Sequence, residues 1–145
     1  MSANNFNFAN GKLFMRYLII AARIILGLIF FVFGLNGFFH FIPQPKDAMP
    51  PGAMDFFGAL MKTGYMIPLI FATQTLVGAL LLLGVFVPLA LTLIAPVIVN
   101  IILFHACLAP TGYAPAIVVS VLEIFLVWAH RKAFRSLLAF RAKPD

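Results

Sequence analysis

From Tyr17 to Phe39 the chain is almost unbroken hydrocarbon, with one charge, Arg23, inside it. A helix that crosses a bilayer needs about 20 predominantly apolar residues, since each adds about 1.5 Å toward a core about 30 Å thick. The run is long enough to span and to tilt. Composition matters here because it says whether a soluble core could hide the run instead. With 63% hydrophobic residues, 10% charged ones and 17 Phe in 145 residues, the chain lies outside the range of globular domains, which average about 45–50% apolar and about 25% charged. The expectation is a single-domain all-α membrane protein.

Residues 1–12 are polar and Asn-rich and read as a short N-terminal tail. Residues 13–130 read as a four-transmembrane-helix bundle, with spans at 14–39, 65–87, 88–108 and 115–129. Lys12 and Arg16 before an apolar run suggest a signal peptide, but the run is too long for an h-region and no small-x-small cleavage site ends it. Between the first two spans, Pro43, Pro45, Pro50 and Pro51 stop a continuous helix. After them Ala53, Phe56, Phe57, Leu60 and Gly64 keep the spacing of an apolar helix face, with Asp55 and Lys62 on the other side. That pattern predicts a short interfacial helix. The link Gly84-Val85-Phe86-Val87-Pro88 is too short for anything but a tight hairpin. Pro96 falls inside the third span, where it removes a backbone bond and predicts a kink. Residues 131–145 form a basic tail in which Leu137, Leu138 and Phe140 alternate with cations, as in a helix lying on anionic lipid.

The cations also give an orientation. Lys12, Arg16, Arg131, Lys132, Arg135, Arg141 and Lys143 lie on one side, and Lys46 and Lys62 on the other. Seven against two predicts an inner (plasma) membrane protein with both termini cytoplasmic. Tyr17, Tyr65, Tyr113 and Trp128 fall at the span ends, where aromatic belts form. The net charge of +6 is explained by this asymmetry, so it does not argue for a nucleic-acid partner. A lone cysteine, Cys107, excludes an intrachain disulfide and a dithiol enzyme; it reads as a small hydrophobe near a helix end.

Polar side chains inside hydrocarbon need a reason. Arg23 and Glu123 are the deep charges, and counting along their spans sets them at similar depth, which predicts a buried ion pair joining the first and fourth spans. A second group lies toward the opposite side: Asn36 and His40 from the first span, Gln74 from the second, Asn100 and His105 from the third. Interhelical hydrogen bonding accounts for all five. The sharper alternative is a ligand pocket for a quinone, with His and Asn donating to its carbonyl oxygens and Phe38, Phe39 or Phe104 packing on the ring. Haem between His40 and His105 is disfavoured, because nothing in the spacing is specific to it. No metal set is legible. Gly27, Gly34 and Gly37 in span one, with Gly78 and Gly84 in span two, are the small residues that let membrane helices approach closely.

Several of these segments together resemble the DoxX family. They are Arg23-Ile-Ile-Leu-Gly27-Leu-Ile-Phe-Phe-Val-Phe-Gly34-Leu-Asn36-Gly37, Thr63-Gly64-Tyr65, and Gln74-Thr-Leu-Val-Gly78-Ala-Leu-Leu-Leu-Leu-Gly84. Asn100-Ile-Ile-Leu-Phe-His105 and Trp128-Ala-His-Arg131-Lys-Ala-Phe complete the resemblance, which covers about residues 15–140. The resemblance implies a four-helix membrane protein similar to a subunit of a thiosulfate:quinone oxidoreductase, and some members associate with membrane redox or detoxifying enzymes. It therefore implies an accessory or subunit in quinone-linked membrane redox chemistry, possessing no dithiol centre of the vitamin K epoxide reductase type. The rival readings are a non-catalytic membrane scaffold or chaperone and a small-solute carrier.

Overall fold

A computed structural model describes residues 3–43, 49–110 and 112–135, with side chains from Asn10 onward. Six helices follow in order: α1 (Ala3–Phe39), α2 (Pro51–Lys62), α3 (Met66–Leu83), α4 (Val87–Cys107), α5 (Tyr113–Ala129) and α6 (Arg131–Phe134). Three of them are long and apolar enough to cross a membrane, over Asn10–Phe39, Met66–Leu83 and Val87–Cys107; α5 is a shorter apolar helix. The all-α membrane bundle expected from the sequence is the fold found. Lys46 and Asp47 of the Pro-rich loop, and the basic tail beyond Arg135, lie outside the described residues.

Helix boundaries follow from local chemistry. The N-terminal segment expected as a tail is helical from Ala3: it holds no proline, and extending an existing helix is far easier than nucleating one. α1 ends where His40 turns left-handed at φ 52°, with its N–H still donating to the Asn36 carbonyl at 2.8 Å. α2 starts with Pro51 at its first position, where a missing N–H costs nothing. Ala53 is fully buried, and Phe56, Phe57 and Leu60 are half-buried while Asp55 and Lys62 are exposed. Gly64, expected on that apolar face, instead lies past the helix end at φ 74°. Thr63 fastens the next corner: its Oγ donates to the Leu60 carbonyl at 2.6 Å and accepts from the Met66 N–H at 3.1 Å.

α3 stops at Leu83 rather than continuing toward Val87, because Gly84 adopts φ 73°. The Gly84 and Val85 N–H groups both close on the Leu80 carbonyl, at 2.9 and 3.1 Å, which satisfies an otherwise orphaned acceptor. Phe86 is left-handed as well, at φ 50°, an uncommon conformation for a side-chain-bearing residue. This three-residue link reverses the chain. α4 passes through Pro96 as one helix. α5 begins at Tyr113, two residues before Pro115.

The four long helices form a ring: α1 packs on α3 and α5, and α4 packs on the same two from the opposite side. α1 and α4 thus lie across the ring from one another, as do α3 and α5. Leu26, Val77, Leu81, Leu91, Ile94 and Leu126 are the largest fully buried side chains and fill its centre. The outward faces carry exposed Phe14, Leu28, Phe33, Leu69, Leu76, Leu103 and Ile124, a surface suited to lipid rather than water. Since lipid tails are as apolar as leucine, close packing rather than hydrophobic burial holds such helices together.

Candidate functional site

The five polar residues predicted to share a pocket are spread over different duties. Asn36 is buried, but its Oδ1 accepts the Ile42 N–H at 2.6 Å. It therefore ties down the chain leaving α1. His40, one turn on, is exposed and sits in the left-handed exit of the helix; leaving the helix there removes it from the face that bears Asn36. His105 is half-buried, and its Nδ1 lies 3.0 Å from the Ala109 carbonyl. A carbonyl can only accept, so Nδ1 carries the hydrogen in this contact. The ring also packs edge-on to Phe104, with centroids 5.2 Å apart, and against Tyr113 at 6.4 Å. A Cβ on Gly112 would strike the same ring. His105 is thus the buttress of the α4–α5 turn.

Asn100 differs from these. It is exposed on α4 and lines a groove with Phe56, Leu103, Phe104, Cys107 and Leu108. α2 makes one wall: Phe56 and Phe57 lie 5.7 and 5.3 Å from the Phe104 ring. Phe104 was expected to be a packing surface, whereas Phe56 and Leu108 were missed. The apolar face of α2 was legible, but nothing in the sequence said which helix it covers.

Gln74 is buried on the core face of α3, one turn from Val77 and two from Leu81. Among the described residues its side chain has no hydrogen-bond partner. Glu123 is buried on the core face of α5, between Val119 and Leu126. Both of its carboxyl oxygens are inaccessible, and neither has a hydrogen-bond partner among the described residues.

The structure does not bring Arg23 to Glu123 as an ion pair. Arg23 is half-buried and its guanidinium occupies the space beside Gly84, where a Cβ would collide with it. The turn that reverses α3 into α4 therefore houses the cation on the α3 side of α1, away from α5. Similar depth was legible from residue counting; the direction in which Arg23 leaves its helix was not.

At the far end of α5, Arg131 stacks over the Trp128 ring, 4.9 Å from its centroid, and donates to the Trp128 carbonyl at 3.1 Å. Phe125 stacks on Trp128 in turn. This cation–aromatic cluster suits a headgroup boundary, where one end of the side chain is apolar and the other wet.

Neither a curated protein nor a solved structure matches the chain. The family model described as DoxX matches residues 18–106, a stretch that holds α2, α3, nearly all of α4, most of the apolar part of α1, and the groove residues Phe56, Asn100, Leu103 and Phe104. The chain belongs to the DoxX family of integral membrane proteins.

Proposed function

We propose that this protein is an accessory or subunit in quinone-linked membrane redox chemistry, and that the groove between α2 and α4 is its quinone contact. One observation carries the reading: Asn100 is exposed on a lipid-facing surface and stands at an apolar groove walled by Phe56 and Phe104. A primary amide facing hydrocarbon without a partner is costly. A quinone supplies what the groove lacks, a carbonyl oxygen to accept from the amide and a flat ring to lie against aromatic faces. The isoprenoid tail of such a molecule would run along the apolar outer surface of α4. Both termini are cytoplasmic in this reading, from the seven-to-two distribution of cations. Reporter fusions at Asp145 and in the loop before α2 should report opposite sides.

A thermal-shift titration with a soluble short-chain quinone tests the site. The unmutated protein should be stabilised in proportion to ligand. Asn100→Leu should keep the fold, since the side chain is exposed, and weaken the quinone. Losing one donor to a buried carbonyl costs about 1–3 kcal/mol, roughly five- to 150-fold in affinity. His105→Ala should instead lower the melting temperature without quinone, because it removes the buttress of a turn. The scaffold reading draws on Asn36 and His105, both of which spend their polar atoms on the chain's own backbone. No quinone-dependent shift at saturation would leave that reading standing.

A further inference from the structure

We propose that Glu123 is a reversible proton-binding site inside the helix ring, served by Gln74 from across it. The proposal is independent of the quinone reading. It begins from burial: Glu123 is 7% exposed, and both carboxyl oxygens are closed off with no hydrogen-bond partner among the described residues. Leucine at this position would cost nothing, whereas an unpaired polar group is a standing penalty. A carboxyl kept there asks for a use.

The charges that could neutralise it are elsewhere. α5 packs on α1, α4 and α6. On α1, Lys12, Arg16 and Tyr17 are exposed at the terminal end, and Arg23 is turned to the Gly84 corner. On α4 the titratable groups are His105 and Cys107, at the opposite end beside Tyr113 and the start of α5. On α6, Arg131 and Lys132 are exposed, the former held on Trp128. His130, between α5 and α6, has its Nδ1 on the Leu126 carbonyl at 2.9 Å. Among the described residues, then, no cation compensates the carboxylate. A proton is the simplest counter-charge, and it turns an anion that apolar walls tolerate badly into a neutral acid they tolerate better.

Gln74 supplies the complementary half. It is 9% exposed and unpartnered among the described residues, and it projects from α3, which faces α5 across the ring. Both helices start from the same end of the bundle. Gln74 lies eight residues into α3 and Glu123 ten into α5, or about 12 and about 15 Å along their axes at 1.5 Å per residue. By that count the two polar side chains lie at similar depth on facing helices, the Glu123 carboxyl closed off and the Gln74 amide still accessible. An amide can accept from the acid through its carbonyl and donate to the anion through its NH₂, so it can serve both states of the carboxyl.

Glu123 is the only glutamate in the chain, so carboxyl-labelled ¹³C-glutamate reports on one residue. The experiment is a pH titration of that resonance in the full protein held in lipid nanodiscs. The expected result is a reversible move between the neutral-acid and anion positions while the protein stays folded. Gln74→Leu should extend the acid form to higher pH, and Arg23→Leu should leave the titration in place. A resonance fixed at either limit throughout the folded range overturns the proposal. So does one that moves with added sodium ion at constant pH, which would make the site a metal-cation site, or one whose titration vanishes in Arg23→Leu, which would restore the ion pair.

Discussion

The two sides of the ring are built differently. Where α1 meets α3, glycines set the distance: Cβ atoms added at Gly34 and Gly78 would fall on the backbones of Thr75 and Phe31, and one at Gly37 would fall in the Phe71 ring. Where α5 meets α1 and α4, neither α4 nor α5 contains a glycine, and side chains hold the helices apart. The first contact is backbone against backbone, and the one hydroxyl seen in it, that of Thr75, is turned back on the Phe71 carbonyl at 2.8 Å. The second keeps side-chain spacing, and it is there that the carboxyl of Glu123 is buried. Close packing in a membrane fixes the fold; the more openly spaced side is where chemistry can be accommodated.

The sharpest way to break this comparison is Gly78→Ala. The added methyl meets the Phe31 backbone, which cannot move as a flexible side-chain tip would. Overpacking of this kind costs about 1–3 kcal/mol, and thermal unfolding in detergent should show it. An unchanged melting temperature would mean the seam is not as tight as drawn. Asn36→Ala tests the end of α1, the other helix of the seam. Removing the acceptor of the Ile42 N–H should cost about 0.5–1.5 kcal/mol, with faster amide exchange at Ile42 and little change elsewhere. Gly58→Ala is the control from outside the seam, since no atom lies within 4 Å of its added Cβ. Alanine in the interior of α2 should stabilise by about 0.5–1 kcal/mol. A loss there would show that α2 is covered by something the isolated chain lacks.

The smallest effect concerns the other side of the ring. Arg23→Leu and Glu123→Leu should be additive within about 0.3–0.5 kcal/mol, as expected of residues that share no partner. A larger coupling energy in the double-mutant cycle would join them after all.

The helical bundle and its membrane character were legible because a membrane helix satisfies its own backbone, so hydropathy read along the chain is enough to find it. The short α2 was legible from apolar spacing alone. So were the glycines of α1 and α3. Ends were less so: Asn-rich residues before Lys12 look like a tail, yet α1 propagates through them, and Gly84 trimmed α3 by adopting φ 73°. The candidate site was legible only as a set of residue types. Asn36, His40, Gln74, Asn100 and His105 were picked out because polar groups are rare in spans, but rarity does not say whose hydrogen bonds they make.

What the sequence determined by itself is therefore what each helix settles alone: that the chain is a helical membrane protein, and roughly where its apolar helices run. Tertiary structure decided what depends on neighbours. It sent Arg23 to the Gly84 turn rather than to Glu123, gave Asn36 and His105 to backbone groups, and brought Phe56 of α2 beside Asn100 and Phe104 of α4. The physical reason is the range of the interactions. Backbone bonding and hydropathy act within a few residues, whereas the satisfaction of a buried side chain depends on which helix stands a few ångströms away. That is fixed by glycine contacts and turn geometry distributed over the whole ring.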